Sequence, residues 1–154
     1  MSSVKIRYPE ERDRALAVEM LRDAEVMRFL GPRRPLSQIE AMDWFDDALH
    51  KPSRFVIADA KTDEFVGFCG LKKINDMWDF GYFLRSEFWG RGIATEACRI
   101  AIERLSNQTD FSKIQVFIAD DNKASKRVAE KLGWNRTQSG YNNGEFGHFY
   151  LIAP

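Results

Sequence analysis

Apolar positions along this chain follow two periods, and the change from one to the other divides it into elements. Three apolar, aromatic-rich runs, Arg54 to Asp59, Glu64 to Lys72 and Met77 to Leu84, are separated only by Lys61-Thr62-Asp63 and Asn75-Asp76. Connections this short predict three strands in an antiparallel meander. Beyond residue 90 the spacing changes: Ala94, Ala97, Cys98, Ala101 and Leu105 recur as one helical stripe. Upstream of the meander, Val4 to Tyr8 reads as a short strand and Pro9 to Leu21 as a helix with Leu16, Met20 and Leu21 facing inward. A short helical stretch near Ala24 to Leu30 stops at Gly31-Pro32, and Ser37-Gln38-Ile39-Glu40 forms a capping box. That box opens a helix carrying Met42, Phe45, Ala48 and Leu49, which Pro52 ends. Towards the C-terminus, Lys113 to Ile118 is a strand, and Lys123 to Leu132 is a helix between an Asn122 cap and a Gly133 stop. Two last strands flank Asn143-Gly144. The order is βααβββαβαββ, and the helix before Lys113 allows a right-handed parallel crossover. The expected fold is an α/β domain of the α+β kind. Its sheet should be mixed but mostly antiparallel, with about seven strands and about four helices.

Length and composition fit one such unit. The chain has 154 residues, 44% hydrophobic and 13% aromatic, enough for one substantial core, so a single domain over residues 1–154 is expected. It shows no repeat, low-complexity segment or linker. Twenty-three basic and twenty-three acidic residues cancel, which argues against nucleic acid or an anionic membrane as partner. Met1-Ser2-Ser3-Val4-Lys5-Ile6-Arg7 lacks the apolar core of a signal peptide. No apolar run approaches the roughly 20 residues of a membrane span, so a cytoplasmic location is expected. Cys69 and Cys98 stand among apolar neighbours and read as buried packing rather than a disulfide or a nucleophile. His50 and His148 belong to no cluster of ligand spacing, so no metal site is expected.

The chemistry concentrates in Phe88-Trp89-Gly90-Arg91-Gly92-Ile93-Ala94-Thr95-Glu96-Ala97, where two glycines stand between a strand and a helix. A helix start presents unpaired N–H groups and the positive end of the dipole, and glycine lets an anion approach that backbone. A phosphorylated ligand suits it. The Gly-x-x-x-x-Gly-Lys-Ser/Thr loop of nucleotide triphosphatases is missing, and position 95 is threonine where a dinucleotide fold has its third glycine.

The chain resembles the GNAT superfamily of acetyl-CoA-dependent N-acyltransferases at two separated motifs. Trp89-Gly90-Arg91-Gly92-Ile93-Ala94 is similar to its pyrophosphate loop, Gln/Arg-x-x-Gly-x-Gly/Ala, with tryptophan at the first position. Asn122-Lys123-Ala124-Ser125, continuing to Lys131-Leu132-Gly133-Trp134, is similar to Asn-x-x-Ser-x-x-x-x-x-Lys-x-Gly-Phe. With Trp-Gly-Arg-Gly-Ile-Ala-Thr-Glu-Ala and serine at 125, the ribosomal-protein alanine acetyltransferase branch is the nearest in pattern.

The resemblance implies a sheet split beside the loop, with the pantetheine arm of acetyl-CoA in the opening. Backbone groups of Phe83 and Leu84 would pair with that arm. Gly90, Arg91, Gly92, Ile93, Ala94 and Thr95 would hold the pyrophosphate, chiefly through main-chain N–H groups. Asn122 would bond the arm, a role compatible with capping its helix. Ser125 would face the departing thiolate, and it can equally help cap the helix. Many relatives place a tyrosine for this task four residues before the glycine of the second motif, where this chain has Ala129. Asp79, in Asp79-Phe80-Gly81-Tyr82, is the candidate base, with a water chain or a salt-bridged strand carboxylate as the competing readings. An oxyanion donor would be a backbone N–H of the same strand. Trp44, Trp78, Tyr141 and Phe146 could line an acceptor pocket or simply pack; Arg33, Arg34 and Glu145 read as loop charges. The implied function is direct acetyl transfer from acetyl-CoA to a primary amine. A protein or peptide N-terminus leads, followed by a polyamine, amino acid or aminoglycoside, and a non-catalytic acyl-CoA-binding module is the reading from another class.

Overall fold

A computed structural model describes residues 2–152 of the protein. The elements are β1 (Val4–Arg7), α1 (Arg14–Leu21), α2 (Gln38–His50), β2 (Phe55–Asp59), β3 (Phe65–Ile74), β4 (Met77–Leu84), α3 (Ile93–Leu105), β5 (Gln115–Ala119), α4 (Lys123–Leu132), β6 (Asn135–Asn142) and β7 (Glu145–Leu151). The predicted order is present, with differences at the ends. The stretch before Gly31 closes only as a 3-10 turn, Val26–Phe29, and α1 is preceded by another, Glu11–Asp13. β5 begins at Gln115 rather than Lys113, because Asp110 accepts a bond from the Ser112 N–H at 3.1 Å and winds Phe111–Lys113 into a turn.

The expected mixed sheet resolves into two antiparallel ones, β1-β2-β3-β4 and β5-β7-β6. No ladder joins β4 to β5 among the described residues, so the parallel pairing that α3 could have allowed gives way to the split beside the loop that the resemblance implies. Hairpin chemistry sets the registers on either side. Asn75 and Asp76 both take positive φ, 51° and 63°, and Asn143 and Gly144 take 53° and 80°. Paired left-handed residues form the tight turn whose twist matches the flanking strands.

Helices cover both faces of the first sheet, which is why β2 is apolar throughout. Phe55 and Ile57 pack with Cys98, Ala101 and Leu105 of α3. Val56 and Ala58 pack on the other face with Ala17 and Met20 of α1 and Phe45 of α2. A register shift pairs Ala58 with Phe65 but Ile57 with Gly67, placing Phe65 and Phe68 in one cluster despite their odd spacing. The buried Asp13 carboxylate takes two bonds from the Arg7 guanidinium, each 2.9 Å, and ties α1 to β1.

Candidate active site

β4 and β5 are facing edges of two separate sheets, and the space beside them is a cleft of about 770 Å³. Phe83 and Leu84 from the end of β4, the glycine loop with the start of α3, and Asn122 and Ser125 from the start of α4 all line it. The two motifs, separated along the chain, thus meet across one opening.

The loop owes its shape to its glycines. Gly90 and Gly92 hold φ of 77° and 75°, left-handed values that cost other residues roughly 1–2 kcal/mol, and open space surrounds the position of a Cβ on each. Gly92 is the N-cap of α3 and brings no side-chain cap, unlike Ser37 at α2 and Asn122 at α4. The first-turn N–H groups of α3 therefore lack the side-chain acceptor those helices have, at the end that borders the cleft. Trp89 fixes the loop to the strand before it, its indole N–H donating to the Leu84 carbonyl at 3.1 Å. Thr95 is buried in the cleft wall. Arg91 does not line the cleft; its guanidinium lies over the Phe88 ring, 5.4 Å from the centroid.

On the opposite wall, the Asn122 side-chain oxygen accepts from the Ser125 N–H at 3.2 Å, so its capping role is real. Lys123, Arg127 and Lys131, each four residues apart on α4, also line the cleft. Together with Arg28 they outnumber its acidic residues, Glu25 and Asp121. The sequence reading missed these cations, although the i, i+4, i+8 spacing puts them on one helix face.

Tyr82, part of the third strand of the meander and of Asp79-Phe80-Gly81-Tyr82, has no role assigned by the sequence. It lines the cleft, and its hydroxyl is shielded from solvent without a hydrogen-bond partner, the one such side-chain atom among the described residues. Burial raises its pKa well above the usual phenol range, and the nearby Cys98 adds to the rise. Ser125 acts in the other direction, as a neighbouring hydroxyl that does not reach bonding geometry. Cys69 and Cys98 are free and buried, their sulfurs 4.0 Å apart, and burial pushes the Cys98 thiol well above its ordinary value. A thiol so suppressed is no nucleophile.

Asp79 stands apart from the cleft lining. Its carboxylate takes a 2.5 Å bond from the Arg54 guanidinium, which is nearly buried. The guanidinium passes over Gly81, where a Cβ would fall 2.8 Å from the Arg54 Nη2 and require that side-chain end to shift. Burial lowers the Arg54 pKa, though an arginine remains charged near neutrality.

Of the aromatic candidates for an acceptor pocket, Trp78, Tyr141 and Phe146 are exposed, and Trp44 packs edge-on against Phe68 and Phe83. None of the four lines the cleft. Arg33 and Glu145, read as loop charges, form an ion pair at 2.6 Å that ties the loop before α2 to the β6–β7 hairpin. Arg34 instead pairs with Glu40 at 2.8 Å. No group of three or more histidine, cysteine or acidic side chains suited to a metal occurs among the described residues. No helix is long and apolar enough to cross a membrane.

An anionic, extended ligand fits this arrangement: open backbone donors at one end, cations along α4, and an unpartnered hydroxyl beside Ser125. Known proteins agree. The family described as Acetyltransferase (GNAT) domain matches residues 3–135. The uncharacterized protein YkkB of Bacillus subtilis is 31% identical over 144 residues, covering 88% of this chain and 84% of its own. A GNAT-family acetyltransferase structure from Bacillus anthracis superposes with a TM-score of 0.82 at 19% identity, covering 98% of this chain and 95% of that one. Spermidine N-acetyltransferase from Vibrio cholerae, solved with CoA and spermine, gives a TM-score of 0.72 at 18% identity, with 97% and 94% coverage.

Proposed function

The chain belongs to the GNAT acetyltransferases and takes its acetyl group from acetyl-CoA, and from that premise we propose that its acceptor is the N-terminal amine of a protein or peptide. What supports the acceptor reading is the pattern Trp89-Gly90-Arg91-Gly92-Ile93-Ala94-Thr95-Glu96-Ala97 with serine at 125, similar to the ribosomal-protein alanine acetyltransferase branch, together with 27% identity over 79 residues to the putative ribosomal N-acetyltransferase YdaF of Bacillus subtilis.

Acetyl-CoA supplies an activated thioester. This chain's residues bind, orient and stabilise charge around it. Backbone N–H groups of Gly90, Gly92, Ile93, Ala94 and Thr95 would hold the pyrophosphate at the α3 dipole, and the α4 cations would offset the remaining phosphate charge. Arg91, stacked on Phe88, reaches in only by leaving that ring. Leu84 offers main-chain groups along the open edge of β4, its carbonyl already shared with Trp89, whereas the N–H and C=O of Phe83 face Phe68 of β3. Asn122 caps α4 and can use its amide N–H₂ towards the arm, and the Ser125 hydroxyl, in the cleft lining, would face the sulfur. The neutral amine nitrogen bonds to the acetyl carbon, the carbon–sulfur bond breaks with its electron pair going to sulfur, and one proton leaves the nitrogen. Water carries that proton away more readily than Asp79, whose carboxylate is engaged by Arg54 outside the cleft lining.

Release of free thiol from acetyl-CoA, measured with N-terminal peptides, polyamines, amino acids and aminoglycosides, tests the reading. Acetylated peptide detected by mass, with the acetyl group on the N-terminal amine, is the expected result. Turnover confined to polyamines or aminoglycosides replaces the acceptor with a small-molecule amine. Absence of binding by any CoA species would remove the cofactor assignment as well.

A further inference from the structure

We propose that Tyr82 is a catalytic residue of this acetyltransferase, its hydroxyl donating a hydrogen bond from β4 to the sulfur released from acetyl-CoA, across from Ser125. The inference rests on the proposed cofactor placement and adds a residue to it.

Three observations converge on this hydroxyl. It is buried and unpartnered, and a buried donor is costly to leave unmade unless a ligand completes it. It belongs to a residue that lines the cleft, on the strand whose end is lined by Phe83 and Leu84. And its polar neighbour is Ser125, on the first turn of α4. Ala129, one turn beyond Ser125 on α4, is buried and brings no hydroxyl. Tyr82 is held in register on β4 by its pairing with Cys69 of β3.

The kind of help follows from the surroundings. Burial and the adjacent Cys98 keep the phenol protonated, so it donates a hydrogen bond and retains its proton. As the carbon–sulfur bond breaks, the electron pair settles on sulfur, which Tyr82 and Ser125 stabilise by donation. The amine proton leaves to water, and sulfur later takes a proton from water. Phenol and serine end the cycle unchanged.

The test reads the thiol of bound CoA rather than turnover. Thiolate absorbance of CoA, held at saturating protein, is titrated in the parent protein and in Tyr82→Phe. Affinity for desulfo-CoA and the melting temperature are measured alongside. The acid dissociation constant of the bound thiol is expected to fall about tenfold in Tyr82→Phe, the scale of one charge-assisted bond. Desulfo-CoA affinity should stay within about twofold, since that ligand lacks the sulfur. The melting temperature should not drop, because the change removes an unpartnered hydroxyl and keeps the ring. An unchanged dissociation constant overturns the proposal. So does an effect that disappears in a Ser125→Ala background, which would make Tyr82 a positioning residue for Ser125. Failure of the parent protein to bind any CoA species overturns the cofactor reading itself, an outcome distinct from normal binding with an unshifted thiol.

Discussion

Gly92 and Gly81 show two ways in which a missing side chain does work. At Gly92 the demand is on the backbone: φ is 75° and nothing lies within 4 Å of a Cβ. Gly92→Ala is therefore expected to lower unfolding stability by about 1–2 kcal/mol through strain alone. It should also weaken CoA binding, because its methyl group stands where the ligand approaches the α3 N–H groups; denaturant unfolding and calorimetric titration separate the two effects. At Gly81 the backbone is unconstrained and the effect is on space: a Cβ would make the Arg54 guanidinium shift on its way to Asp79. That pairing decides what Asp79 does. Asp79→Asn is expected to reduce kcat/KM by less than tenfold while lowering stability, since buried Arg54 loses its carboxylate. A loss of a hundredfold or more in turnover, with CoA affinity intact, would instead establish Asp79 as the base. Sequence placed Asp79 on the right strand but could not show its partner, because Arg54 lies 25 residues away and is brought near only by the meander.

Helix ends distinguish structure from function in this chain. The α2 terminus is closed on itself: the Ser37 hydroxyl accepts from the Glu40 N–H at 3.1 Å, and the Glu40 carboxylate accepts from the Ser37 N–H at 2.8 Å. Ser37→Ala should cost about 1 kcal/mol in denaturant unfolding and leave CoA binding unchanged. Arg34, and then the Ser37 N–H, hold the Glu40 carboxyl down at about 2. A carboxylate lowered on folding stabilises fully above its unfolded value of about 4.3 and loses that contribution as pH falls through its folded value. The melting temperature of the parent protein should therefore fall more steeply between about pH 5 and 2 than that of Glu40→Gln, with parallel curves above pH 6. The capping box and the Asn122 cap were legible because each signal is local, within four residues. The difference at α3 was legible for the same reason, as glycine where a capping side chain would stand. Less visible were the 3-10 turns at Val26–Phe29 and Phe111–Lys113, where a few residues satisfy both helix and turn patterns.

At the scale of the molecule, the cleft exists because two sheets fail to join. A ligand that bridges β4, α3 and α4 holds both halves together, so CoA at about one hundred times its dissociation constant should raise unfolding stability by about 2.7 kcal/mol. Thermal melts with increasing CoA check this, and Gly92→Ala should need proportionally more ligand for the same shift. High salt should weaken that stabilisation through screening of Lys123, Arg127 and Lys131. By itself the sequence determined the element order, the hairpin turns, the glycine-opened helix and the family of the chain. Each of these depends on periodicity or on residues a few positions apart. Tertiary structure alone decided the Arg54 hold on Asp79, the Arg33–Glu145 tie and the unpartnered Tyr82 hydroxyl beside Ser125. These depend on which strand edges, charges and buried polar atoms meet across long separations, and no local pattern encodes a meeting of that kind.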